Sequence, residues 1–553
     1  MSTFRGNDMN AKLVAIYRHA VETGKGEVTL REAVEAVGYS EKQVKRDIKV
    51  WQSLGLVEYQ AGKGRGHESV LRFQPDFART LSGWVDTSFS TASMADAAKW
   101  LEWDWPPALR ELIQARVWSR FGFEQTEEDR FVFPRTRTLE SLDPLDIHIA
   151  MEASLSRHVF DRLFEWDGTM VQPSLAHHIE DTPFGFRCYI RKGVTFHNGM
   201  TLAAKDVVYS LNRLLARGKQ VWLFAPIERL ESPAPYVVDI HTKAHRAYIE
   251  RLLAQTPASI TYEGAEGVVG TGPFKLEKQS DDVVRLRAFE RGLRPRPSLD
   301  VVEFVTFSEM DYAKWSDGDE QSLVKWIAEA GARYLMFNLQ HSWLKDDVET
   351  RLAIQQAIDK KAFVELGGER HQVAHGFFPE TSRPLPRPKA AGSLRRPLRL
   401  LHLPFDVATE DAMLIAAQLR TAGFTVETET YTLGCLLQEE TLRRADLILC
   451  GEMMSEDLDL AFLAFLTSEL SLVGKLVAHE TELRTMMDRY RQTDMSAWPL
   501  LHREVERHLT ESALVIPLYH VARERRFPSF LGEVPVDVFG HPRYDQLWIR
   551  HSV

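Results

Sequence analysis

"TLREAVEAVGYSEKQVKRDIKVWQSLGLVEYQAGKGRGHESVLRF", residues 29–73, holds two helix starts, a basic helix and a glycine-rich hairpin tip. In "TLRE", Thr29 to Glu32, the hydroxyl can accept from a free helix amide while the carboxylate reaches back, the pattern of a capping box. Leu30, Ala33, Val34 and Val37 then fall on one helical face, and Gly38 ends it. "SEKQ", Ser40 to Gln43, repeats the capping pattern and opens a helix with Val44, Ile48 and Trp51 on its apolar face. Lys42, Lys45, Arg46 and Lys49 fall mainly on the other face. Two short strands follow, one on each side of a basic tip.

Upstream, Leu13, Ile16, Tyr17 and Ala20 recur at i, i+3, i+4 and i+7, a first helix that Gly24 and Gly26 stop. Three helices and a basic hairpin predict a winged helix-turn-helix over residues 1–75. In that geometry the third helix enters the major groove and the wing touches phosphate or the minor groove. The candidate DNA contacts are Lys42, Gln43, Lys45, Arg46 and Lys49 on the helix, and Lys63, Arg65 and His67 on the wing. Gln43 suits an adenine edge, provided the cap does not occupy it. A solvated basic helix, or a winged helix used for protein contacts, is the competing reading. The order of elements and the basic tip favour DNA.

The chain has 553 residues, more than one core accommodates, so about two to four units are expected. Its formal net charge is −10, yet residues 1–75 hold 12 Lys/Arg against 9 Asp/Glu. A small basic head on an acidic body suggests two different partners. No run of about 18 apolar residues occurs. "LDLAFLAFLTSELSLVGKLV" is broken by Asp459, Glu469 and Lys475 and reads as buried helix. Residues 1–30 lack the apolar stretch of a secretory signal. Cys188, Cys435 and Cys450 are scattered, and an odd count does not suit a disulfide framework. These features set the expectation of a cytoplasmic protein with no membrane contact. Residues 76–130, with Trp100, Trp103, Trp105 and Trp118 around Pro106 and Pro107, read as a helical linker packed on one neighbour.

Signals for catalysis are weak. "HQVAH", His371 to His375, has the His spacing of a zinc-protease helix, but Gln372 stands where the general-base Glu is required, so a loop or core role is expected. His177 and His178 are adjacent in a hairpin, where their rings diverge. No nucleophile elbow and no phosphate-binding P-loop is present. We expect a non-enzyme, with no catalytic residue, metal or cofactor.

The body begins at residue 131. "KGVTFHNGMTLAAKDVVYSLNRL", Lys192 to Leu214, resembles a segment of the family 5 extracytoplasmic solute-binding proteins. So do the turn Leu142-Asp143-Pro144, the run Leu163-Phe164-Glu165, the hairpin Asp167-Gly168 with Pro173 to Ala176, "VVGTGPFKLEK" and "ALVIPLYH". The resemblance implies a two-lobed α/β periplasmic-binding-protein-like fold (type II) over residues 131–553. Lobe I would comprise about 131–275 and 515–553, and lobe II about 276–514. Gly193, Gly199, Gly270 and Gly272 are expected at turns and bulges. Peptide receptors of this family pair an acid with the peptide's amino group. Here that place reads "MMSEDLDLAFL", where Asp459 fits a structural acid and Glu456 or Asp457 is left as the candidate ligand acid. The whole layout resembles the SgrR-type transcriptional regulators. It implies a cytoplasmic activator that binds double-stranded DNA and a small molecule, either a sugar phosphate or peptide-like. The alternative is a transport-type solute-binding protein whose N-terminal extension does not bind DNA.

Overall fold

Helix α1 (Asn7–Thr23) is followed by strand β1 (Glu27–Thr29), helices α2 (Leu30–Val37) and α3 (Glu41–Ser53), and strands β2 (Val57–Gln60) and β3 (Val70–Phe73). The strands pair antiparallel in the order β1-β3-β2, with Leu71 facing both Val28 and Tyr59. This is the element order of a winged helix-turn-helix. The first capping box forms: the Glu32 amide donates to Thr29 Oγ1 at 3.2 Å, and the Thr29 amide to Glu32 Oε2 at 2.8 Å. Gly38 ends α2 at φ +67°, a conformation that costs other residues steric strain. Val44, Ile48 and Trp51 are buried, as the helix phase requires.

The computed structural model describes residues 7–62, 68–81, 83, 94–118, 122–125, 128–147, 149–264, 268–307, 323–378, 396–435, 438–527, 531 and 533–548. They divide into two units. The first comprises Met1–Thr138, Glu277–Arg287 and Leu299–Glu320, and the second Leu139–Leu276, Ala288–Ser298 and Gln321–Val553.

In the first unit, the core of the winged helix does not stop at residue 75. Leu13, Trp51 and Phe77 share one apolar cluster with Trp100, Trp103, Trp105, Val132, Val283 and Val305. The helices Met94–Trp100 and Pro107–Trp118 carry the tryptophan segment. Trp103 stacks on Trp105 at 5.6 Å, and Trp105 Nε1 donates to the Trp100 carbonyl at 2.5 Å. Beside them lies a five-stranded sheet, in which Val301–Thr306 runs parallel to Asp129–Arg135 and antiparallel to Val283–Ala288. Residues 277–287 and 299–307, expected with lobe II, therefore pack with the N-terminal head. Their apolar faces complete its core.

In the second unit, Ala176–Thr182, Gly185–Ile190, Ile227–Ala234 and Val237–Thr242 form an antiparallel sheet, against which helix Ala204–Arg217 packs. A seven-stranded sheet contains Arg333–Phe337, Leu398–His402, Val426–Thr430 and Leu447–Gly451. Val515–Phe527, expected with lobe I, instead pairs with Leu323–Ala328, Arg333–Phe337 and His371–Val373 in this second sheet. Its length of 13 residues lets it serve three partners. Among the described residues no single helix is long and apolar enough to cross a membrane. Helices Leu458–Thr467 and Leu472–His479 meet at 63°, with Leu460, Phe462, Leu463, Val473 and Leu476 buried.

Gly193 and Gly199 take positive φ, as expected of turns. Gly270 and Gly272 do not; they are required by close packing. A Cβ on Gly270 would lie 2.1 Å from the Val159 carbonyl oxygen, and one on Gly272 2.5 Å from that of His158. His197 is seated between these glycines: Nδ1 accepts from the Gly270 amide at 3.3 Å and Nε2–H donates to the Gly272 carbonyl at 3.0 Å.

Two predictions follow from this packing. Trp105→Ala should destabilise the head by about 3–5 kcal/mol although it lies outside residues 1–75, as a lowered urea midpoint of the first unit shows. For His197, burial pushes the pKa down to about 4, whereas an unfolded His titrates near 6.5. The unfolded chain takes up this proton first, so the second unit loses stability as pH falls from about 6.5 to about 4. His197→Gln should flatten that loss in thermal melts across the same window.

Candidate functional site

Along α3, Lys42, Lys45, Arg46 and Lys49 are exposed and Gln43 is half-buried, opposite the buried Val44, Asp47, Ile48 and Trp51. The charges are not equivalent. Lys45 Nζ donates to Glu41 Oε1 at 2.5 Å, so its charge is already shared. Arg46 is 75% exposed, with Asp47 Oδ1 3.9 Å from its Nε. The second expected capping box does not form: the Ser40 hydroxyl makes no cap bond. The Gln43 and Val44 amides donate instead to the Ser40 carbonyl, at 2.9 and 3.0 Å. The cap therefore does not occupy the Gln43 side chain. The wing residues Lys63, Arg65 and His67 lie outside the described residues.

A buried ion pair orients this helix. Lys12 Nζ on α1 lies 3.4 Å from Asp47 Oδ2, both residues are 5% exposed, and the ammonium sits 3.9 Å from the Tyr39 ring centroid. Sequence reading passed over both charges because their partners are 35 residues apart.

In the second unit, a small cavity of about 40 Å³ is lined by Arg157, Trp166, Gln255, Ser455, Glu456 and Phe539, among others. Arg157 comes from helix Ala150–Val159, and Ser455 and Glu456 precede helix Leu458–Thr467. Arg157 binds Glu456 through two bonds of 2.6 and 2.7 Å, and Arg543 adds a third at 3.1 Å. Burial raises the Glu456 pKa, but Arg157 and Arg543 outweigh it and hold the carboxyl below its ordinary value. Asp457 accepts from Arg251 Nε at 2.8 Å and caps the following helix through the Leu460 amide at 3.2 Å. Asp459 accepts from Arg251 at 3.1 Å and lies 3.2 Å from His502 Nε2. The two acids singled out as ligand contacts thus hold the chain's own arginines. Behind the cavity, Arg294 binds Asp161, Asp545 and the Arg157 carbonyl at 3.1, 3.2 and 2.6 Å.

The "HQVAH" stretch is not helical. His371 opens strand His371–Val373, its Nδ1–H donates to the Phe363 carbonyl at 2.9 Å, and its ring stacks on Tyr519 at 4.0 Å.

Residues 11–124 match the family described as sugar transport-related sRNA regulator, N-terminal, and residues 170–319 match bacterial extracellular solute-binding proteins, family 5, middle. The chain has the SgrR-type architecture. The first match runs past the wing and through the tryptophan segment, in keeping with their common core. An uncharacterized protein, YhjP of Bacillus subtilis (strain 168), is 26% identical over 92% of this chain and 94% of its own length. The HTH-type transcriptional regulator SgrR of Yersinia enterocolitica is 27% identical over 64% of this chain and 66% of its own. The periplasmic binding protein DppA of Helicobacter pylori, solved with the peptide STSA, aligns at a TM-score of 0.65 and 18% identity over 76% of this chain and 98% of its own. That likeness shows the solute-binding fold of the SgrR-type body and says nothing of its ligand.

Breaking one side of the buried pair in the head leaves an uncompensated charge. Asp47→Ala should cost about 3–5 kcal/mol, while Lys12→Met with Asp47→Leu should recover most of it, measured as urea midpoints of the full chain.

Proposed function

We propose that this protein is a ligand-responsive, DNA-binding transcriptional regulator that reads duplex DNA with α3 and the wing and senses a small molecule in its solute-binding body. One observation carries the reading. Strands Val283–Ala288 and Val301–Thr306 lie within the solute-binding match, yet they share an apolar core with the winged helix. Such a core ties the reader to strands of the sensor. In this reading the protein works by binding rather than catalysis, in the cytoplasm where the chromosome is. Lys42, Gln43, Lys45, Arg46 and Lys49 face the duplex, with Lys63, Arg65 and His67 on the wing. A transport receptor with an unrelated extension leaves both the N-terminal match and the basic face of α3 without a role.

The full chain should bind a duplex selected from random sequence with steep salt dependence, each neutralised phosphate adding about −0.9 to the log–log slope. Arg46→Ala with Lys49→Ala should weaken binding about tenfold or more, and Lys45→Ala much less because Glu41 already holds its charge. Fluorescence anisotropy measures both. Unchanged binding in Arg46→Ala with Lys49→Ala would displace the interface from this face of α3.

A further inference from the structure

Of the two acids in α3, Asp47 is buried against Lys12, whereas the side chain of Glu41 is 61% exposed. Glu41 is the first residue of the helix and stands beside the exposed Lys42 and Lys45. An acid there has two ordinary uses in solvent. It complements the positive end of the helix dipole, and it pairs with a lysine one turn on. Against a duplex the same carboxylate meets phosphates of like charge, which opposes binding unless it accepts a hydrogen bond from the DNA. The first residues of a recognition helix are the ones that reach base edges. Glu41 has acceptor capacity left: a carboxylate has about four lone-pair sites, and Lys45 Nζ takes one of them at 2.5 Å. It also has space. It borders an open cleft of about 320 Å³, with Leu30, Arg31 and Val34 of α2 and with Glu68 and Ser69 just before β3. Arg31, the cation of that cleft, is held by Glu35 at 3.0 Å and not by Glu41.

We propose that Glu41 is a specificity-determining residue of the reader, its carboxylate accepting from the N4 amino group of a cytosine in the major groove. The proposal rests on α3 reading duplex DNA and names one base that the operator must carry. In the major groove, amino donors are offered by cytosine N4 and adenine N6. Adenine sets its N7 acceptor beside N6, and that lone pair repels the second oxygen of a carboxylate. Cytosine presents the donor without a neighbouring acceptor on its own edge. An acceptor-only side chain therefore matches cytosine, whereas an amide, with one donor and one acceptor group, matches adenine.

Fluorescence anisotropy of the full chain tests this on the duplex selected from random sequence, with each base pair replaced in turn. The unaltered chain should lose about tenfold or more in affinity when one particular C·G pair becomes T·A or A·T. Glu41→Gln should move the preference at that pair from cytosine to adenine and leave the other positions as they were. Glu41→Ala should accept any base pair there. Replacing that cytosine by 2-pyrimidinone, which lacks the amino group, should weaken the unaltered chain by a similar factor and Glu41→Ala not at all. Both substitutions are at an exposed position, and urea midpoints show that each variant is folded. If Glu41 serves only the helix dipole and Lys45, each variant shifts all duplexes by one common factor. An unchanged preference at every position in both variants, with duplex binding intact, thus overturns the cytosine contact and keeps the regulator. A chain for which no duplex is selected overturns the regulator reading, and the cytosine contact with it.

Discussion

Trp105 donates its indole N–H to the Trp100 carbonyl while stacking on Trp103, and the first unit is built around that packing. Three large rings close to one another belong to the apolar cluster that the winged helix and the five-stranded sheet share. Large aromatic side chains bury more apolar area than any others, so a segment with this many tryptophans cannot serve as a solvated tether. Once they are packed, α1, α3 and the strands Val283–Ala288 and Val301–Thr306 share one interior. Interiors at close-packed density transmit displacement instead of absorbing it. The winged helix thus shares its interior with strands that lie within the solute-binding match.

Buried charges play a second role. Lys12 with Asp47, Arg157 with Glu456 and Arg251 with Asp457 each put a charge where water is scarce. Such pairs seldom add net stability, because desolvation offsets the attraction. What they impose is geometry: a carboxylate short of water accepts few alternative arrangements. In the head this sets how α3 lies on α1. In the cavity it fixes Arg157, Glu456 and Asp457 in ion pairs within the chain. The surface follows a different rule, since Lys45 and Glu41 pair in solvent and their interaction is screened.

Much of the head was legible in the sequence because its signals are local. The Thr29 capping box, the stop at Gly38 and the Val44, Ile48 and Trp51 stripe each span a few residues, and backbone geometry alone relates them. The body was legible through segments that resemble a known family, including the glycines, although Gly270 and Gly272 serve close packing and not a turn. Ser40 shows where even a local signal fails: its carbonyl takes the amides that its hydroxyl was expected to take. Strand β1 was too short, at three residues, to show a period.

Tertiary structure alone decided who meets whom over long separations. Arg157 and Glu456 are 299 residues apart and Arg251 and Asp457 206, beyond any periodic pattern. The acids were visible as candidates, but their partners were not, and the partners change what those acids can bind. The placement of Val515–Phe527 between Leu323–Ala328 and Arg333–Phe337 in the second sheet likewise joins segments far apart in the chain. By itself the sequence determined the helices, their phases and the order of the two parts, because those follow from backbone periodicity and capping. Whether a charge is free or spent depends on desolvation and on what the fold brings within about 3 Å of it, and only the folded chain sets that.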